Sequence, residues 1–218
     1  MKREVAIVIP ALNEAATIGD VVKSVVGIAR IIVVDDGSTD GTGEIAQKSG
    51  ADVVRLDINK GYDGALQAGF EKADGLKCEY VITLDADGQH PQEMISAYID
   101  QLQCGMDLVL GVRDRLQRFS EHVFAFLARR FFGISDPLCG MKGYRLTLYR
   151  ALGHFDSYGS VGTELALHAV SNGAKFIQLP IETRERADQP RFSRIVRANW
   201  IILRAAIIGI SRFGFRKR

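Results

Sequence analysis

Tyr80-Val81-Ile82-Thr83-Leu84-Asp85-Ala86-Asp87-Gly88-Gln89-His90-Pro91 runs from an apolar, β-branched stretch directly into two carboxylates and an amide. The first part is a short buried strand. The second part is a strand end built for chemistry. In an extended chain, residues two apart share a face, so Asp85, Asp87 and Gln89 can converge where the strand leaves the sheet. All three offer oxygen, which suits a hard cation such as Mg²⁺ or Mn²⁺. An ion held there calls for an anionic substrate, most naturally a diphosphate. The competing reading is an ordinary solvated turn.

Outward from this segment, strands alternate with helices. Strands are expected at Val5–Ile9, Ile31–Val34, Asp52–Leu56 and Asp107–Gly111, with helices at Glu14–Val26, Thr42–Ser49, Tyr62–Ala73 and from Pro91 to Gln103. That rhythm predicts βαβ units and a mostly parallel sheet. Such sheets bind ligands beyond the carboxyl ends of their strands. The polar clusters fall at those ends: Pro10–Glu14, Asp35–Asp40, Asn59–Asp63, Asp85–His90 and Arg113. The second half is less regular. Helices are expected at Phe119–Phe132, Gly162–Asn172 and Ser193–Ile210, a strand at Lys175–Ile181, a Gly-containing loop at Asp136–Arg145 leading into another element, and a charged loop at Glu182–Phe192.

The chain has 218 residues, 47% hydrophobic, with a net charge of +2. One large domain with a well-buried core fits. The balance gives no sign of nucleic-acid binding. Charge is unevenly spread, however, with ten Arg or Lys from Arg184 onward against Glu185 and Asp188. A basic end seeks phosphates or anionic surfaces. Cys78, Cys104 and Cys139 have neither disulfide nor zinc spacing, which fits a reducing compartment. No apolar run reaches the length of a membrane span.

At Asp35-Asp36-Gly37-Ser38-Thr39-Asp40-Gly41-Thr42, Ser38, Thr39 or Asp40 is expected to cap the next helix. A cap does not account for two adjacent carboxylates, and Asp36 can accept from a base N–H or a ribose hydroxyl. Gly61 and Gly64 offer close backbone approach to a ligand. The dinucleotide fingerprint and the P-loop are absent. No convincing His–carboxylate pair stands out.

Taken in order, Pro10-Ala11-Leu12-Asn13-Glu14, Val33–Thr42, Asn59-x-Gly61, Asp85–Pro91 and Gly111-Val112-Arg113 resemble the motifs of family 2 inverting glycosyltransferases. Among them the chain is most similar to the dolichyl- and polyprenyl-phosphate mannose or glucose synthases, over residues 5–145. The resemblance implies an α/β fold of GT-A type, a single nucleotide-binding domain over residues 1–192, followed by an amphipathic basic helix and tail over 193–218. It implies that Pro10, Leu12, Glu14, Val34 and Asp36 line the nucleoside pocket, with Asp85 and Ala86 on the donor side. Asp85, Asp87 and Gln89 would hold Mg²⁺ or Mn²⁺. Asp87 and Arg113, with Arg186 or Arg194 from a closing loop, would act on the leaving diphosphate. Asp136–Arg145 resembles an Asp-x-x-Ser-Gly-Phe-Arg loop with Cys139 for Ser, which leaves Lys142 and Arg145 as alternatives for its cation. Glu164 matches an acidic position on a late helix.

The function this implies is transfer of a hexose from a GDP- or UDP-sugar to a polyprenyl phosphate, with inversion. A lipid phosphate is already ionised, so no general base is required. Its own cations would be Arg118 with Ser120, or Arg129 with Arg130. Arg194, Arg197, Arg204, Ser211 and Arg212 project into an arc of roughly 100° on the last helix, which suits an anionic membrane surface. The expected location is peripheral, on the cytoplasmic face of a membrane, alone or with a membrane subunit or second copy. The alternatives are a non-lipid acceptor (glycan or protein), a sugar-nucleotide pyrophosphorylase, or a membrane scaffold with a decayed site. The Pro10–Glu14 loop argues against the pyrophosphorylase, and the retained carboxylates argue against the scaffold.

Overall fold

The computed structural model describes residues 2–88, 92–182 and 194–215. Seven strands form one sheet: β1 (Lys2–Ala11), β2 (Ala29–Asp35), β3 (Asp52–Arg55), β4 (Tyr80–Thr83), β5 (Leu108–Arg113), β6 (Lys142–Arg145) and β7 (Phe176–Ile181). Their order is β3-β2-β1-β4-β6-β5-β7. All neighbours are parallel except β6, which runs antiparallel to both β4 and β5. The helices are α1 (Ile18–Val25), α2 (Thr42–Lys48), α3 (Gly61–Gly75), α4 (Ile95–Gln103), α5 (Phe119–Phe132), α6 (Leu146–Leu152), α7 (Glu164–Ser171) and α8 (Arg194–Phe213).

Alternation along the strands divides the core in two. Ala6, Val8, Ile32 and Val34 face a layer formed with α3, α5, α6, α7 and α8. Val5, Ile7, Ile9, Ile31 and Val33 face α1, α2 and α4. With both faces covered, the strands read as continuous apolar runs, as parallel sheets require.

Three local expectations are corrected. The stretch from Asp136 to Arg145 holds β6, a central strand. It is only four residues long with a cation at each end, so its period could not be read; Tyr144 is nonetheless fully buried. The element expected to follow this stretch is the helix α6. The first helix starts at Ile18, because Asn13–Ala15 is bonded to the neighbouring loop. The fourth helix starts at Ile95 after a 3₁₀ turn, Gln92–Met94.

The last helix packs Ile202, Ala205, Ala206, Ile210 and Phe213 into the core. Arg197, Arg204 and Arg212 are all exposed, and the last two also tie the helix to the turn before α7. Arg204 Nη1 donates to the Tyr158 carbonyl at 2.6 Å, and Arg212 Nη1 donates to Ser157 Oγ at 2.8 Å. No described helix is long and apolar enough to cross a membrane.

Candidate functional site

A cavity of about 270 Å³ opens where β1, β2 and β4 end. Pro10, Ala11, Leu12 and Glu14 line it from the β1 loop, Asp36 from the β2 loop, Gly61, Tyr62 and Ala65 from α3, and Asp85, Ala86 and Asp87 from the β4 loop. Four separate sequence motifs thus meet around one cavity, with Leu12 40% exposed. Val34 does not join them. Its side chain is fully buried beneath, near the position a Cβ on Gly69 would take.

The loops are tied to each other before any ligand is considered. Asn13 N–H donates to Ser38 Oγ (3.0 Å), Thr39 N–H to Asn13 Oδ1 (3.0 Å), Glu14 N–H to Thr42 Oγ1 (2.8 Å) and Ala15 N–H to Asp40 Oδ2 (3.0 Å). Ser38, Thr39 and Asp40 therefore cross-link two strand ends. The cap position of α2 is Gly41, at φ 87°, and Asp40 Oδ1 accepts from the N–H of Thr42, the first residue of the helix, at 3.0 Å, so Asp40 also satisfies the helix start. Asp35 and Asp36, adjacent on an extended strand, have opposite duties. Asp35 accepts from Ser38 N–H at 2.9 Å and pairs with Arg55 at 3.3 Å, away from the cavity. Asp36 faces the cavity, and its two oxygens accept from the N–H groups of Lys60 (2.7 Å) and Gly61 (2.9 Å). It holds the start of α3, and its remaining lone pairs are available to a donor sugar or base. Gly61, at φ 77°, lines the cavity, whereas a Cβ on Gly64 would run into Lys60, so that glycine serves the helix start.

Holding α3 places Tyr62. Its ring is 37% exposed, but its hydroxyl donates to Asp85 Oδ1 at 3.1 Å. Burial, followed by the charge of Asp85, raises the phenol well above its ordinary pKa, so it remains a donor. On the other side of Asp85 lies Gly140, where a Cβ would overlap the carboxylate. Asp85 is therefore set between Tyr62 and the turn into β6. Neither neighbour was singled out in the sequence. The position of Tyr62 directly after Gly61 at a strand-to-helix turn was the available signal.

Lys142, the first residue of β6, is buried, and its Nζ donates to the Gly162 carbonyl at 2.7 Å. Burial lowers its pKa, against the attraction of nearby acids that include Asp85 and Asp63. Arg145, at the far end of β6, bonds Glu79 (3.1 Å) and Asp107 (3.2 Å) instead. Of the two alternatives, Lys142 is the cation beside the site. Asp63 accepts from the N–H groups of Val161 (3.0 Å) and Gly162 (2.5 Å). Burial, then the charge of Asp156, raises its pKa to about 6.

Arg113 stands at the end of β5, two strands beyond β4, roughly 10 Å across the sheet. Asp136 grips it through Nε (2.7 Å) and Nη2 (3.0 Å), and Glu121 adds a bond to Nη2 at 3.3 Å. Burial opposes its charge, but the Asp136 hydrogen bonds and the two carboxylates outweigh that and raise its pKa. It is a fixed cation on the side of the rim away from the nucleoside end. Arg118 Nη1 bonds Glu121 at 2.8 Å, and Ser120, fully buried, donates to Asn199 Oδ1 at 2.6 Å. Ser120 is thus spent on joining α5 to α8. Arg129 and Arg130 are exposed at the other end of α5, roughly 15 Å along its axis. They are separated from the rim and do not join Arg118 there. Gln89 and Arg186 lie outside the described residues, as does the side chain of Arg194.

Glu164 is buried at the start of α7 and accepts from Ser157 N–H (2.6 Å), Ser157 Oγ (2.8 Å) and Arg212 (3.4 Å). His154 Nε2 lies 3.3 Å from it, a His–carboxylate pair that the sequence reading passed over. The pair sits where α8 docks, and neither residue lines the cavity.

The cation the sequence calls for can be tested against these residues. Among the described residues, no three His, Cys, Asp or Glu side chains converge. Asp85 and Asp87 do reach one cavity, and Asp85 is held in place from both sides. Two carboxylates fit an ion that takes its remaining ligands from substrate phosphates and water.

A model of glycosyl transferase family 2 matches residues 6–163. A dolichyl-phosphate hexose transferase of Haloferax volcanii is 31% identical over 202 residues, covering 86% of each chain. An uncharacterized protein of Methanocaldococcus jannaschii is 33% identical over 201 residues, covering 84% of this chain and 82% of its own. An undecaprenyl-phosphate 4-deoxy-4-formamido-L-arabinose transferase of Edwardsiella ictaluri is 31% identical; 84% of this chain matches 60% of that protein. Among solved structures, glucosyl-3-phosphoglycerate synthase from Mycobacterium tuberculosis, in complex with Mn²⁺ and UDP-glucose, superposes with a TM-score of 0.77 at 24% identity, covering 99% of this chain and 81% of that one. That likeness is one of fold, and the single mixed sheet with its covering helices is of GT-A type. With the carboxylate-bearing strand ends gathered on one cavity and the family model spanning most of the chain, the protein belongs to glycosyl transferase family 2 and is a glycosyltransferase.

Proposed function

We propose that the protein transfers a hexose, with inversion, from a nucleotide diphospho-sugar to a polyprenyl phosphate, in a reaction that depends on Mg²⁺ or Mn²⁺. The observation that carries this reading is the meeting of Glu14 and Asp36 with Asp85 and Asp87 in one cavity. The first pair suits a nucleoside, and the second suits a metal-bound diphosphate. The names of the Haloferax and Edwardsiella relatives support the lipid acceptor, and the Mn²⁺ and UDP-glucose of the mycobacterial enzyme support the metal and donor type.

In this reading Leu12 and Pro10 cover the base, and Asp36 accepts from the ribose or base while holding α3. Tyr62 and Gly140 keep Asp85 aimed at the diphosphate. Asp85 and Asp87, with Gln89, would hold a divalent cation, which would supply charge neutralisation for the departing nucleoside diphosphate. Arg113 contributes fixed positive charge from the opposite side of the rim, where reorganisation costs little. Arg186 or Arg194 adds a cation from the closing loop. The acceptor phosphate oxygen is anionic at neutral pH and attacks the anomeric carbon from the face opposite the leaving group. Arg118 is its nearest cation among the described α5 residues, and α8 brings the protein to the cytoplasmic face of a membrane.

The test is a panel of GDP- and UDP-hexoses with polyprenyl phosphate and Mg²⁺ or Mn²⁺, read by the mass of the lipid product. A metal-dependent glycosyl-lipid is the expected outcome. Transfer only to a soluble glycan, peptide or phosphoglycerate would sink the lipid reading. Formation of a nucleotide-sugar from a sugar phosphate would reassign the enzyme to the pyrophosphorylases.

A further inference from the structure

Among the described residues, ten large apolar side chains are markedly exposed, and six of them lie on or just after two helices: Phe119 and Phe126 on α5, Val196, Trp200 and Ile207 on α8, and Phe215 beyond its end. Four of the six are aromatic. Their exposures run from 65% for Trp200 to 80% for Val196. This is a surface and not a scatter. Phe119 and Phe126 are seven residues apart on α5, and Val196, Trp200 and Ile207 fall within an arc of about 40° on α8 at helical spacing.

The two helices lie side by side. Near their starts, Ser120 Oγ donates to Asn199 Oδ1 at 2.6 Å, and near their ends the rings of Phe131 and Phe215 meet at 5.4 Å. Two such contacts, in the same order along both chains, make the pair parallel. The exposed stripes therefore run together from the rim end of the sheet toward its other end. A soluble chain rarely leaves such a patch bare without a use for it.

The exposed charge that α5 and α8 themselves carry is of one sign. α8 contains no acid, and the single acid of α5, Glu121, is buried against Arg113 and Arg118. Arg129, Arg130 and Arg197 are exposed beside the apolar stripes. Apolar, aromatic and cationic groups on one face complement an anionic lipid headgroup layer over acyl chains.

We infer that α5 and α8 together form one docking face for an anionic bilayer, with α5 an equal part of it. This deepens the membrane reading given above for α8, on which it rests. Arg197, Arg204 and Arg212 are exposed alongside the apolar residues, although Arg204 and Arg212 are also bonded to Tyr158, Ser157 and Glu164. The stripe is Val196, Trp200 and Ile207, continued by Phe126 of the neighbouring helix. Because both helices start beside Arg113 and Arg118, a protein lying on this face brings the rim of the active site to the headgroup level.

The chain has one tryptophan, so Trp200 reports the face directly. The full protein is mixed with phosphatidylcholine vesicles, with or without phosphatidylglycerol, containing no polyprenyl phosphate. Sedimentation and Trp200 emission are read at low and high salt. Binding to the anionic vesicles, with a blue shift and weakening in salt, is expected. Phe126→Ser and Ile207→Ser should each reduce partition by at least about tenfold, as loss of one buried large apolar group implies. Both are exposed positions, and transfer to a short water-soluble prenyl phosphate should be unchanged. Wild-type partition by Phe126→Ser would remove α5 from the face. A dimer abolished by either variant, with no vesicle binding, would overturn the proposal in favour of a self-association surface. Vesicle binding without lipid glycosylation would leave this inference standing and refute the acceptor assigned above.

Discussion

The two sides of the rim are built by different means. On the nucleoside side, β1, β2 and β4 end in loops whose own polar residues lace them together, Asn13 to Ser38 and Thr39, and Asp36 to Lys60 and Gly61. On the other side, β5 and β6 end among residues held by distant elements: Arg113 by Asp136 and Glu121, Lys142 by Gly162, and Ser120 by Asn199. The first side is assembled from local motifs and the second by tertiary packing. This difference teaches where variation can be absorbed. A change in a motif loop acts directly on the cavity wall, whereas a change on the packed side acts through the partners that hold Arg113 and Lys142.

The largest effect expected is on the nucleoside side. Asp87→Ala should lower transfer by about a thousandfold or more, since it removes charge stabilisation aimed at the leaving group. Arg145→Ala, which breaks pairs with Glu79 and Asp107 at the far end of β6, should leave kcat within about twofold despite some loss of stability. Steady-state kinetics at saturating metal distinguishes them, and equal losses would dissolve the contrast between rim and base. The next effect crosses the divide. Gly140→Ala adds a Cβ that overlaps the Asp85 carboxylate from the β6 side. A misplacement of this kind is expected to cost about a hundredfold in kcat/KM, with an unchanged circular dichroism spectrum and a raised requirement for metal. A fully active Gly140→Ala would mean that Asp85 is free of the packed half.

That contrast also explains what was legible. The alternation of strand and helix through Gly111, and the rim formed by Pro10–Glu14, Asp36 and Asp85–Asp87, could be read because hydrophobic period and polar strand ends coincide there. Val34 illustrates the limit, since a motif residue can serve the core while its neighbours face the ligand. β6 escaped notice because four residues cannot display a period, and an antiparallel insertion breaks the βαβ rhythm that made its neighbours visible. The clamps on Arg113 and Asp63 join residues far apart in the chain, a relation no single segment carries. The basic arc of α8 was visible, but its direction was not. A helical wheel gives relative angles, and only the docked helix shows that Arg204 and Arg212, while exposed, also bond Tyr158 and Ser157.

The packed half makes its own prediction. Glu164 joins α7, the Ser157 turn and α8 with a buried carboxylate. Glu164→Ala leaves Ser157 and Arg212 without their acceptor and should destabilise the protein by about 3 kcal/mol. For a chain of this size that corresponds to a fall in melting temperature on the order of 6–12 °C. The KM for nucleotide-sugar should hold, because Glu164 does not line the cavity. A shift in donor KM with little thermal change would place Glu164 in the active site and erase the boundary between the halves.

The smallest effect tests the seam between them. Asp63 sits one residue from Tyr62 but bonds the turn at Val161 and Gly162, so it links α3 to the packed half. Its carboxyl, ordinarily near 3.8, is raised to about 6 by burial and by Asp156. Between these two values the folded state binds more protons than the unfolded state, so this group lowers stability as pH rises through that window. A shift of this size has a ceiling of about 3 kcal/mol. Water at the edge of the site reduces it to on the order of 1 or 2 kcal/mol. Asp63→Asn keeps one acceptor oxygen for the turn and cannot ionise. The variant should therefore gain on the wild type as pH rises from 4 to 6.5, with the difference flat above that. Melting curves at matched ionic strength read this directly. A difference that stays constant across the range would mean that the Asp63 charge is neutralised in place, with Lys142 the nearest cation to supply it.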